Sequence, residues 1–167
     1  MILSSGSYRG EEPPLAKITA VTTGKIVDMD FHDSMNMGAA MAMAALDTIV
    51  RNFRDLGVDE THYDQIITGD LGTVGRRLLL DYLMQAGYRI ESRYMDCGIE
   101  MFSPEEQDTH AGGSGCGCSA AVLCGYILPK IRSGEWKRVL FLPTGALLST
   151  VSFNEGKSVP GIAHAVV

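Results

Sequence analysis

Apolar and polar positions change rhythm several times along the chain, and each change predicts an element. From Lys17 the text is rich in β-branched residues, Ile18-Thr19-Ala20-Val21-Thr22-Thr23-Gly24-Lys25-Ile26-Val27. It predicts a long strand carrying a bulge at Gly24. The loop Asp30-Phe-His-Asp-Ser leads into a helix from about Met37 to Asp55, capped near Ser34 or Asn36. In its first half this helix is apolar on almost every side, through Ala39, Ala40, Met41, Ala42, Met43, Ala44, Ala45 and Leu46. Only later does it become amphipathic, with Ile49, Phe53 and Leu56 at a 3.6-residue period and Arg51, Asn52, Arg54 and Asp55 toward water. Small residues on all sides predict a helix sandwiched between layers.

After Gly57, the stretch from Tyr63 to Asp70 reads as a short buried strand ending in a Gly-Asp turn. A helix follows from Thr73, striped by Leu78, Leu79, Tyr82, Leu83 and Ala86 and stopped at Gly87. Between Arg89 and Gln107 the pattern is mixed, with room for a short strand after Arg93 and a one-turn helix at Ser103-Pro-Glu-Glu-Gln. A third long helix opens on a glycine cluster, kinks at Pro129, runs to about Arg132 and stops at Ser133-Gly134. Lys137–Pro143 is a strand, Thr144–Thr150 a tight loop or a further strand start, Asn154-Glu-Gly a turn, and Gly161–Val167 a final strand. The order is α/β, a mixed sheet with helices on it, right-handed crossovers and a closing hairpin. Residues 1–16, rich in Ser, Gly, Glu and Pro, form an N-terminal arm, and residues 17–167 form one domain.

Composition narrows the function. At 167 residues, 46% of them hydrophobic, the chain holds one ordinary core. A net charge of −6 leaves no basic face for a nucleic-acid backbone. The four cysteines, Cys97, Cys116, Cys118 and Cys124, fall mostly within one helical segment, so they make no disulfide framework and fit a reducing compartment. No run reaches the roughly 18 apolar residues of a membrane span, although the chain could dock on a membrane protein.

The chemistry concentrates in Asp108-Thr-His-Ala-Gly-Gly-Ser-Gly-Cys-Gly-Cys-Ser. Small residues from Ala111 to Gly117 uncover backbone N–H groups at a helix start, where unpaired amides and the helix dipole together favour an anion or oxyanion. The alternative is that these glycines only allow another backbone to pass close by. A thiolate at such a position, Cys116 or Cys118, beside His110 as base, would suit attack on a carbonyl. The two cysteines sit about 200° apart on an ideal helix, so at most one of them faces a pocket with His110. Equally, both thiols read as small buried residues and His110 as a structural histidine near Asp108. Asp70 lies at the C-terminal end of a strand, the edge where open α/β sheets gather ligands, or else it caps the following helix. The spacing of Cys97, His110, Cys116 and Cys118 matches no conventional zinc site, and no metal or cofactor is expected.

Taken together, Asn36-Met-Gly-Ala-Ala-Met-Ala, Thr68-Gly-Asp-Leu-Gly, His110-Ala-Gly-Gly-Ser-Gly-Cys-Gly-Cys-Ser-Ala and Pro143-Thr-Gly-Ala-Leu-Leu-Ser resemble the stage V sporulation protein AD family, thiolase-like proteins of spore-forming bacteria. The resemblance runs from about Lys17 to Val167 and covers only the second of that family's two thiolase-type halves. It implies a non-enzymatic protein that binds dipicolinic acid, alone or with calcium, and supports its uptake into the forespore. Membrane proteins of the same operon would be partners, and the location peripheral to the forespore or spore inner membrane. The candidate ligand-binding residues, read from the glycine cluster and the strand edge, are His110, Gly112, Gly113, Ser114, Gly115, Cys116 and Asp70, with no catalytic residue. Departures from catalytic thiolases and ketosynthases agree: Gly69-Asp-Leu-Gly stands where a ketosynthase has His-Gln-Ala-Asn, and Pro143-Thr-Gly-Ala where a thiolase carries Cys with following glycines. The nucleophilic cysteine of such enzymes belongs to the first half. The resemblance also makes the all-round apolar helix a central one that a lone second half would expose, so association with a first half or as a homodimer is expected. The rival readings are an acyl-transfer enzyme of thiolase or ketosynthase type using a Cys/His pair, and a purely structural subunit of a membrane complex.

Overall fold

A computed structural model describes residues 3–4 and 13–167; the predicted N-terminal arm falls largely outside them. In chain order the main elements are β1 (Val21–Thr22), α1 (Met37–Leu56), β2 (Gln65–Thr68), α2 (Gly72–Gln85), β3 (Tyr94–Asp96), α3 (Cys97–Met101) and α4 (Pro104–Gln107). There follow α5 (Cys118–Val122), which continues through a π segment (Leu123–Ile127) into α6 (Leu128–Arg132), then β4 (Val139–Leu142), β5 (Thr144–Ala146), α7 (Thr150–Asn154), β6 (Gly161–Ala163) and β7 (Ala165–Val166).

Five strands form a mixed sheet in the order β1-β7-β4-β2-β3. β2 runs parallel to β3 and to β4, while β7 runs antiparallel to β4 and to β1. Neighbouring residues on β2 and β4 serve opposite faces. Ile66, Leu140 and Leu142 join the core under α1 and α2, and Ile67, Val139 and Phe141 join the core under α5 and α6. This places every residue of β4 out of water and makes the domain three layers deep.

The first strand is shorter than expected, Val21–Thr22 with Val27 as a separate bridge, and the irregularity expected at Gly24 lies between them. Thr22 pairs with Ala165 and Val27 with Gly161, so five residues advance on one side against four on the other, and Gly24 lies in the excess. Glycine is needed there, since a Cβ would sit 1.6 Å from the Ala163 carbonyl oxygen. The closing hairpin is present, interrupted rather than continuous. Phe141 pairs with Val166 and Thr144 with Ala163 in one unbroken register across Pro143, which has no N–H to give the ladder. The excursion between β5 and β6 carries α7, a helix where loop and turn are expected.

α1 has the length its pattern predicted, closed by Gly57 at φ +66°. Asn36 precedes it but makes no side-chain capping bond. Two expectations for this helix are corrected. Asn52, expected at the surface, is fully buried, donating to Thr22 Oγ1 at 2.8 Å and accepting from the Tyr63 hydroxyl at 2.6 Å. More consequentially, the apolar first half is not left exposed: Ala40, Met41, Ala42, Ala44 and Ala45 are buried within the chain itself. The reason is backbone contact with α2 and β6. A Cβ on Gly38 would lie 2.0 Å from Leu71 O, and one on Gly161 2.4 Å from Ala40 O, so small residues here let neighbouring elements close on the helix.

The bare helix is the one that runs from α5 through the π segment into α6. Cys116, Gly117, Ala120, Ala121, Cys124, Gly125 and Tyr126 are exposed. No charged side chain occurs from Ala111 to Pro129. Ahead of Pro129, where a kink is expected, the ladder changes: Leu128 N–H donates to Leu123 O in π fashion, before the residue that has no N–H.

Candidate functional site: the C-terminal edge of the parallel strands

The C-terminal ends of β2, β3 and β4 deliver Thr68, Asp96 and Leu142 side by side. Asp96 organises this edge and is 2% exposed. Its carboxylate accepts from Thr68 Oγ1 at 2.6 Å, Leu71 N at 2.9 Å and Gly72 N at 3.2 Å on one flank, and from Gly98 N at 3.1 Å and Ile99 N at 3.2 Å on the other. One side chain thereby fixes the β2–α2 loop and opens α3 as its N-cap. Burial pushes the Asp96 carboxyl above the usual carboxylate range, against the opposing pull of those donors. The Tyr94 hydroxyl lies 2.5 Å from Thr68 Oγ1 and is driven well above its ordinary value by burial and then by Asp96.

With the loop fixed, Asp70 projects toward the glycine cluster. Its carboxylate accepts from the Ser114 hydroxyl, from Gly115 N–H at 3.4 Å and from Thr144 Oγ1 at 3.2 Å. The cluster's donors therefore already hold a carboxylate, one belonging to the chain. Asp70 stands at the sheet edge as expected, and the capping role weighed for it falls to Asp96.

The other residues read from the cluster separate into two sets. Ser114, Gly115 and Cys116 are exposed at the mouth of α5. Cβ atoms on Gly115 and Gly117 would meet nothing within 4 Å. Gly112 and Gly113 instead serve close packing: a Cβ would lie 2.4 Å from Gly72 Cα in the first case and 2.2 Å from the Phe102 ring in the second. Gly112 further adopts φ +149°.

His110 makes no hydrogen bond to Cys116 or Cys118. Its side chain is 76% exposed, and its nearest charged partner is Asp108 at 3.8 Å. Cys97 and Cys118 are buried, and burial followed by nearby carboxylates raises both thiols, Cys118 to about 11. A thiol so placed is protonated at neutral pH and a poor nucleophile. Among the described residues no group of three or more His, Cys, Asp or Glu is placed to hold a metal ion. Two shallow hollows lie elsewhere, one along the outer face of α1 beside Met43, Leu46 and Val50, the other around Gly57–His62.

Sequence reasoning missed Asp96, Thr68 and Thr144. Asp96 carried one local signal, an N-cap type of residue directly before Cys97-Gly98, obscured by the mixed pattern around it. Thr144 carried none, since its partner Asp70 lies 74 residues away.

A family model described as stage V sporulation protein AD matches residues 4–167. The stage V sporulation protein AD of Bacillus subtilis (strain 168) is 42% identical over 157 residues, which are 94% of this chain and 46% of that protein. The chain thus spans about half the length of the relative it matches. No helix among the described residues is long and apolar enough to cross a membrane. With the family model matched over residues 4–167 of the chain, this chain belongs to the stage V sporulation protein AD family, a family of sporulation proteins.

Proposed function

We propose that this chain is a non-catalytic, thiolase-like second half that binds dipicolinic acid at the mouth of α5 and supports its uptake into the forespore, peripheral to the membrane and beside membrane proteins of the same operon. The observation that carries the reading is the carboxylate already seated on the Ser114 hydroxyl and Gly115 amide. The Ser114 hydroxyl and the Gly115 amide have one hydrogen each, so a ligand carboxylate takes them by displacing Asp70, and the neighbouring Cys116 and Gly117, exposed at the same mouth, leave it room. Asp70 is itself negative, so a bare dicarboxylate is repelled and the calcium salt is the better match, its cation offsetting both charges. His110 and the packing glycines Gly112 and Gly113 then support the loop rather than touch the ligand.

The exposed face of α5 and its π continuation, uncharged and made of small residues, supplies the surface on which a first thiolase-like half or a second copy would close the site. The raised Cys118 thiol and an exposed His110 whose charged partner is Asp108 weigh against an acyl-transfer enzyme.

Calorimetry with dipicolinate, with and without calcium, on this chain and on the chain rejoined to a first half tests the proposal. Heat is expected from the rejoined protein and is expected to be larger with calcium. No heat in either condition ends the ligand-binding reading, and capture of operon membrane proteins without any ligand would leave the structural-subunit reading in its place.

A further inference from the structure

We infer that His32 is a protonation-dependent clasp that ties the β5–β6 excursion to the loop following β1. The two ring nitrogens of His32 both face acceptors: Nδ1 lies 3.0 Å from the Gly156 carbonyl oxygen and Nε2 3.0 Å from Asp30 Oδ1. Neither partner has a hydrogen to give, so both bonds exist together only when both nitrogens carry one, which is the imidazolium. Two further bonds bind the same segments, Ser158 Oγ to Asp28 Oδ2 at 2.7 Å and Val159 N to Phe31 O at 2.7 Å. Asp30 holds φ +57°, an unfavourable value for a residue with a Cβ, and its N–H donates to Asp28 Oδ1 at 2.9 Å.

The charged groups on the two sides are Asp28, Asp30 and Asp33 on the loop, and Glu155 with Lys157, ion-paired at 2.6 Å, on the excursion. The hydrogen bond from Ser158, and then the one from the Asp30 amide, hold the Asp28 carboxyl below its ordinary range, so it stays ionised wherever an imidazole changes charge. The sign follows: the clasp is complete on the acidic side, and loses one bond as the proton leaves on the alkaline side. What it positions is a segment exposing Leu147, Leu148, Val151 and Phe153, so the order of that apolar surface is tied to pH.

An internal contrast makes the test decisive. His164 Nδ1 accepts from Gly24 N–H at 3.0 Å, which requires an unprotonated nitrogen, so that contact should weaken on acidification while the His32 clasp tightens. Hydrogen exchange of the Val159 and Gly24 amides is followed at pH 6 and pH 8, corrected for intrinsic rates, in the wild-type chain and in His32→Gln. Val159 protection is expected to fall about three- to five-fold from pH 6 to pH 8, the scale of one partly exposed charged contact, while Gly24 moves the other way and His32→Gln shows no slope at Val159. A flat wild-type profile, an equal slope in His32→Gln, or both amides moving in the same direction would overturn the clasp.

Discussion

Two helices of this chain are built from small apolar residues, and they meet opposite fates. α1 is the more conspicuous in sequence, with alanines and methionines on every side, yet α2, β6 and the sheet close over its first half. The helix running from α5 to α6 looks ordinary by comparison, and its outer face, from Cys116 through Ala121 to Gly125, lies bare. The distinction is what a glycine touches. Gly38 and Gly161 stand against backbone of the same chain, where a side chain has no room. Gly117 and Gly125 stand against nothing. A glycine within a helix costs about 1 kcal/mol relative to alanine, so Gly125 is a position that the isolated fold does not explain and a partner backbone would.

Substitution at the two kinds of glycine gives the largest expected contrast. Gly38→Val drives a Cβ into the Leu71 carbonyl, 2.0 Å away, and is expected to cost more than about 3 kcal/mol or to prevent folding, as read by urea denaturation. Gly125→Ala is expected to leave the lone chain unchanged or up to about 1 kcal/mol more stable, while weakening its association with a first half. Comparable damage from both would erase the distinction. Asp96→Ala comes next. It strips one buried acceptor from four backbone amides and Thr68, and a loss of about 2–4 kcal/mol is expected by the same measurement.

Asp64 offers the smallest effect and a pH signature. The Lys137 and Arg138 amides donate to its carboxylate at 2.6 and 2.9 Å, joining the starts of β2 and β4, and hold its pKa below the ordinary value. A depressed carboxylate contributes stability above its unfolded pKa and loses it as pH falls through the folded value. Asp64→Asn is therefore expected to cost under about 1 kcal/mol at pH 7, solvent screening included, and nothing once both states are protonated. Melts across pH 2–7 check this, and a difference that persists into acid would contradict it.

What the sequence made legible was whatever depended on neighbours in the chain. The irregularity at Gly24, the span of α1, the stop at Gly87 and the strand running into Thr68-Gly-Asp were readable because periodicity and local φ requirements set them. Asp70 was placed at the right edge of the sheet by the same logic. The occupant of the glycine cluster was not readable, since the Asp70 carboxylate arrives from 44 residues away in the chain. Nor were Gly112 and Gly113 separable from Gly115, because packing against Gly72 and Phe102 is a tertiary fact. α7 escaped because its capping box pairs Ser149 with Ser152, where the readable signature ends in Glu or Gln. Which apolar helix stayed bare depended on the order in which elements stack, and composition alone pointed to α1.

The most direct measurement is alkylation of Cys124, exposed on the bare face of the helix running from α5 to α6, timed in this chain alone and after rejoining to a first half. Buried Cys97 and Cys118 serve as slow references in the same digest. If the face is a docking surface, modification of Cys124 is fast in the lone chain and slows by about ten-fold or more in the rejoined protein, the factor that about 1.4 kcal/mol of protection produces. An unchanged rate at Cys124 in a rejoined protein that folds would show that the bare face meets no partner.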